Sequence, residues 1–161
     1  LTERAQSGAL GEILAIRTFR LGWDSPHRDV DAVWILLPHD LAIVLEILGR
    51  IPAAHAAFGV VPGRAGSDLV ALLRDDDGVQ VTVEISANHP ASRRAVVVVG
   101  SEGAAQLADS YDDRLLVAAG APGRAASTRS ETRCRCCWNW RPSWRICGAA
   151  RRRDRRRWRG C

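Results

Sequence analysis

The run WILLPHDLAIVLEILG at residues 34–49 constrains the architecture more than any other stretch of the chain. Leu41, Val44, Leu45 and Leu48 recur at helical spacing, so one face of a helix can be buried along its whole length. Pro38 fits a first helical turn, where its missing N–H would be unpaired anyway. Gly49 suits the end. A helix is therefore expected over residues 38–48, from Pro38 to Leu48, with His39 and Asp40 in its opening turn. A polar pair at that place is either a helix cap, which an aspartate favours electrostatically, or a site.

Most of what surrounds this helix reads as strand. Residues 10–21 alternate, with Ile13, Ala15, Phe19 and Leu21 on one face. Further strands are expected at 55–61, 69–74, 79–86, 94–99 and 115–119. Asp75-Asp76-Asp77-Gly78 between two of them is a hairpin turn, because Asp-Gly tolerates positive φ. Val79, Val81, Val83 and Ile85 alternate with polar residues, whereas Val96 to Val99 is apolar on both faces and suits a central strand. One helix and five or six strands joined by tight turns imply an α+β fold. Its sheet should be open and mainly antiparallel, with the helix on one face.

Composition divides the chain. Residues 1–123 hold 10 Arg against 16 acidic residues, and residues 124–161 hold 13 Arg against Glu131 and Asp154. All five cysteines and four of the six tryptophans also lie in the second part. The expected organisation is one domain over 1–123 and an Arg/Cys/Trp-rich tail over 124–161. So many like charges with few aliphatic residues imply disorder in that tail. No apolar run is long enough for a bilayer and no signal peptide opens the chain, so no membrane contact and a cytoplasmic location are expected. The chain begins with Leu1 and contains no Met, which suggests a piece of a longer protein.

The tail offers three readings. Cys134, Cys136, Cys137, Cys147 and Cys161 lack paired C-x-x-C spacing and have no histidine beyond His89, so zinc is disfavoured. RRRDRRRWR at residues 151–159 would adhere to any polyanion, which is not specific nucleic-acid recognition. A frameshift explains more. Cys and Trp codons both begin with TG, and reading residues 132–157 one base earlier yields an aliphatic amphipathic helix.

Three segments together are similar to a known family. LLPHDL at residues 36–41 resembles the Asp-Leu-x-Pro-His-Asp-Leu pattern that opens the C-terminal domain's first helix in Gfo/Idh/MocA-type oxidoreductases. GALGEILAIRTFRLGW (8–23) resembles that domain's first strand, and VTVEISANHPASRRAVVVVGSEG (81–103) its later Ser-x-x-x-Pro…Arg…Gly-Ser-x-Gly stretch.

The resemblance implies the substrate-binding half of an NAD(P)-dependent oxidoreductase acting on a sugar, cyclitol or related polyol. It implies His39 as the catalytic residue beside the reacting carbon, accepting the hydroxyl proton. Asp40, Arg20 and Trp34 are the expected substrate-binding residues, although Arg17 and Arg20 also read as a solvated strand face. Subunits would pair through the open sheet face into a homo-oligomer. Two positions depart from the pattern: Ile35 stands where an aspartate usually precedes the histidine, and Ala87 where Trp usually follows the serine. The chain also has no Gly-x-Gly-x-x-Gly turn and no lysine, so NAD or NADP is expected in the intact relative and neither on this chain alone. Loss of the family's following helix would expose apolar sheet surface and favour association. The alternative is a non-catalytic binding or assembly module with a polyanion-binding basic tail.

Overall fold

The computed structural model describes residues 1–23, 29–59, 67–109, 112, 114–120 and the backbone of 127–132. A short helix α1 (Thr2–Gln6) leads into β1 (Ile13–Trp23), then α2 (Ala32–Leu48), β2 (Ala53–Phe58), β3 (Asp68–Arg74) and β4 (Gln80–Ser86). Strands β5 (Asn88–Gly100), β6 (Gly103–Leu107), β7 (Arg114–Ala119) and β8 (Ser127–Thr132) complete the order. All eight form one sheet ordered β2-β3-β4-β1-β5-β6-β7-β8. Every pairing is antiparallel except β1 with β4. A parallel pair needs a long crossover, and the chain between β1 and β4 supplies it, carrying α2 on the way. The α+β reading with a mainly antiparallel sheet and one helix packed on it holds.

Register determines what lies under the helix. Ile16 pairs with Val81 and with Val98, and Thr18 with Val83 and Val96. Leu73 and Ala71 pair with Val81 and Val83 on the other side of β4. These side chains share one face, and they form the core with Val44 and Ile47 of α2. The alternation seen in β4 is therefore the dry face. In β1 the dry face is Ile16 and Thr18, opposite to Ala15, Phe19 and Leu21, which lie on the other side of the pleat.

α2 begins six residues earlier than its sequence suggests, so Pro38 sits inside it and not in its first turn. The cost of an interior proline is about 3 kcal/mol. Ala32, Leu36, Asp40 and Val44, one turn apart, all reach the sheet side, and continuous packing of that stripe outweighs the local penalty. Asp31 occupies the N-cap, so His39 and Asp40 belong to the helix interior and the capping interpretation of that pair is corrected. Gly49, left-handed at φ 73°, closes the helix with its N–H on the Leu45 carbonyl at 2.7 Å.

The Asp75–Gly78 hairpin is present, with Gly78 N–H donating to Asp75 O at 2.9 Å. Arg50, just beyond α2, ties to this turn through Asp75 and through Asp77 at 2.9 Å. Leu10 is buried just before β1, where its carbonyl leaves no room for a side chain at Gly100. Strand β8 continues the antiparallel ladder past residue 123, using the edge that β7 would otherwise expose. The rest of 124–161, with every cysteine and the Arg run, lies outside the described residues.

Candidate functional site

The polar centre of the domain is built where α2 crosses β1. Asp40 lies on the helix stripe that faces the sheet and is 1% exposed. Arg20 follows Ile16 and Thr18 on the dry face of β1, which brings it beneath the helix. Its Nε donates to Asp40 Oδ2 at 2.9 Å, and the arginine side chain is only 18% exposed. The solvated-face interpretation therefore holds for exposed Arg17 but not for Arg20. Burial pushes the Asp40 carboxyl above its ordinary range, and the charge and hydrogen bond of Arg20, then the nearby His39, pull it back only in part.

His39 and Trp34 take the other side of the helix. Both are exposed, Trp34 at 75%. Ile35 precedes His39 by one turn, so the position of the family's aspartate is retained while its carboxylate is absent. Sequence reasoning thus named four residues that the fold divides: Arg20 and Asp40 meet, and His39 and Trp34 stand apart from them on the outer face. That outer face is apolar elsewhere too, with Pro38 and Leu45 exposed along it.

Beside the Arg20–Asp40 pair opens a cleft of about 420 Å³. The last residues of β1 and β4 form its floor, the first turns of α2 one wall, and Arg94 and Ser92 of β5 another. Trp23, 74% exposed, stands at its edge. The β1–β5 ladder slips between Leu21 and Trp23, an irregularity that re-aims side chains at a strand end. Sequence reasoning assigned neither Arg94 nor Trp23 to the substrate site. The available signal was the period-two series Arg94, Val96, Val98, which continues the dry face into the cleft.

A second polar cluster braces the same corner. Asp68, almost fully buried, accepts hydrogen bonds from Ser67 Oγ at 3.0 Å, from Ser86 Oγ and from Asn88 Nδ2. It joins β3, β4 and β5 just where Ser86 reaches the cleft. No sequence signal beyond the short Ser-x-Asn spacing marks it.

The described residues do not suit a dinucleotide. The connection from β1 to α2 contains no glycine, and Asp29 and Asp31 precede the helix, so anionic groups meet the end that would have to hold a pyrophosphate. Among the described residues no cluster of three metal-ligating side chains occurs. No described helix is long and apolar enough to cross a membrane.

The GFO/IDH/MocA C-terminal domain model matches residues 1–106. The chain belongs to this family. No curated protein sequence matches it. Among solved structures, levoglucosan dehydrogenase in complex with NADH and L-sorbose is similar at a TM-score of 0.65 and 18% identity, over 81% of this chain and 42% of that one. An inositol dehydrogenase homolog complexed with NAD+ from Azotobacter vinelandii is similar at 0.60 and 17%, over 80% and 39%. UDP-N-acetylglucosamine 3-dehydrogenase from Acidithiobacillus ferrooxidans is similar at 0.63 and 16%, over 81% and 44%. At such identities the likeness establishes the fold. The chain spans about two fifths of the length of these GFO/IDH/MocA structures.

Proposed function

We propose that this GFO/IDH/MocA domain is the substrate-binding part of an NAD(P)-dependent oxidoreductase acting on a sugar, cyclitol or related polyol. The observation that carries the proposal is the family match over residues 1–106, on a fold shared with sugar and inositol dehydrogenases whose structures hold NADH or NAD+. In this reading the nucleotide belongs to a different half of such an enzyme.

In this reading the chain supplies three things. The cleft bounded by Arg20, Arg94 and Trp23 holds the polyol. The buried Arg20–Asp40 pair fixes the angle between α2 and the sheet, and with it the shape of the cleft wall. His39, exposed on the same helix but not among the described residues that line the cleft, can take the hydroxyl proton only where the polyol extends out of the cleft to that side of α2. Without a carboxylate at Ile35, its orientation depends on the helix and on whatever packs against the outer face of α2. That face, with Trp34, Pro38 and Leu45, is where a further half would sit. The open sheet face, carrying Phe19 under the Arg93 guanidinium and the exposed Leu72 and Leu116, is the surface proposed for subunit pairing.

A steady-state assay with NAD+ or NADP+ and a panel of polyols tests the division of labour. No turnover is expected from the chain alone. Turnover by the purified chain would overturn the assignment of the nucleotide to another half.

A further inference from the structure

The start of β5 lies where sheet order alone would not put it. Strands β4 and β5 flank β1, yet only Ala87 separates them in sequence. Flanking strands stand two spacings apart, roughly 9.5 Å, whereas two extended residues reach roughly 7 Å. Ser86 and Asn88 must therefore draw together at the end of β1. Asn88 pairs there with Trp23, after the slip in the β1–β5 ladder.

Asp68 holds that crossover. It is the first residue of β3 and the register partner of Ser86. Its Oδ1 accepts from Ser86 Oγ, and its Oδ2 accepts from Asn88 Nδ2 and, at 3.0 Å, from Ser67 Oγ. The bond to Asn88 joins two strands that the sheet order separates by β4 and β1, so β5 curls over the end of β1 to reach it. Two further bonds tie the link. Asn88 N–H donates to Ser86 Oγ at 3.1 Å, and Ala87 N–H donates to the Ser67 carbonyl at 2.9 Å. A carboxyl group suits this place, because its two oxygens take several donors at once where an amide offers one oxygen and a competing N–H.

Ser86 and Ala87 line the cleft and Trp23 stands at its edge, whereas Asp68 is not among the described residues that line it. We propose that Asp68 is a positioning residue for polyol binding. It touches no ligand, and it fixes the crossover that sets the wall on which the ligand rests. A site of this kind is only as well placed as the residues that support its lining. This inference rests on the proposed polyol-binding role of the cleft and adds a residue to it.

The test is a titration of the isotopically labelled full 161-residue chain with myo-inositol, followed by amide chemical shifts. Asp68→Asn, which keeps the shape of the side chain, is compared with Gly100→Ala, which strains the sheet at its opposite end. Both are read at a temperature where urea curves show them folded. Asp68→Asn is expected to weaken binding roughly ten-fold and to move the ligand-free signals of Ser86, Ala87, Asn88 and Trp23. Gly100→Ala is expected to leave the affinity unchanged. A purely structural Asp68 would lower the urea midpoint and leave the affinity of the folded protein as it was, and that result overturns the proposal. Equal losses of affinity in the two variants overturn it too. If Asp68→Asn does not fold, Ser67→Ala removes one of the three donors, and it is expected to weaken binding roughly three-fold. Unchanged affinity in Ser67→Ala then overturns the proposal. No binding by the wild-type chain removes the polyol role itself and the proposal with it, an outcome distinct from every variant effect.

Discussion

Arg20 and Asp40, twenty residues apart in sequence, meet between sheet and helix with Nε 2.9 Å from Oδ2. The pair is the polar contact between the strand that carries the cleft floor and the helix that carries its wall. Removing one partner leaves the other buried and uncompensated. Asp40→Ala is therefore expected to cost about 3–5 kcal/mol of stability, and the double replacement Arg20→Met with Asp40→Leu considerably less. Urea unfolding midpoints of the three proteins decide this. A loss in Asp40→Ala no larger than that of a surface substitution would remove the pair from its structural role.

The protonation of Asp40 should leave a mark on stability. Its carboxyl is raised above the ordinary 3.8 because burial outweighs Arg20 and His39. A carboxyl with a raised folded-state pKa takes up a proton on folding between the unfolded and folded values, so its contribution falls as pH rises through that window. Asp40→Asn cannot titrate. The difference in melting temperature between wild type and Asp40→Asn should shift in favour of wild type as the pH is lowered from neutrality towards the ordinary carboxylate range. A shift in the opposite sense would mean that Arg20 dominates and holds the carboxyl low.

Thr18 is fully buried under α2, and its hydroxyl has no hydrogen-bond partner among the described residues. Valine has the same shape without the unmet polar group. Thr18→Val is expected to be neutral or to stabilise by about 1 kcal/mol. A loss above that in chemical denaturation would indicate that the hydroxyl is satisfied in solution.

Two glycines at the same end of the sheet should respond differently to an added methyl group. A Cβ on Gly100 would lie 2.0 Å from the Leu10 carbonyl oxygen, a backbone atom that cannot rotate away. Gly78 has φ 88° but open space around it. Gly100→Ala is expected to cost about 3 kcal/mol by displacing the segment before β1. Gly78→Ala should cost only the left-handed backbone penalty, about 1–2 kcal/mol. Similar losses in thermal unfolding would contradict the close approach of Leu10.

Much of this fold is legible in the sequence because its strongest elements carry their own signals. The β4 alternation, the Asp-Gly hairpin and the aliphatic repeat of α2 each depend on local pattern. What is hidden depends on pairing. β6, GAAQL, has little strand character and forms because the turn after β5 folds it back along the ladder. The start of α2 is masked by Pro38, whose local cost is overcome only by packing that exists once the sheet does. The face of β1 is ambiguous on both sides of the pleat, since Ile16 and Thr18 are no greasier than Phe19 and Leu21. Choosing the wrong side is what concealed Arg20 beneath Asp40 and Arg94 beside Arg20.

Amide chemical shifts of the isotopically labelled chain, followed during separate titrations with myo-inositol or glucose and with NADH, test most directly whether this is a substrate half. Shifts at Trp23, Ser86, Ser92 and Arg94 are expected with a polyol, and no saturable shift within residues 1–120 with NADH. A chain that binds NADH within those residues, or that shows no response to either sugar-like probe at the cleft, would contradict the assignment.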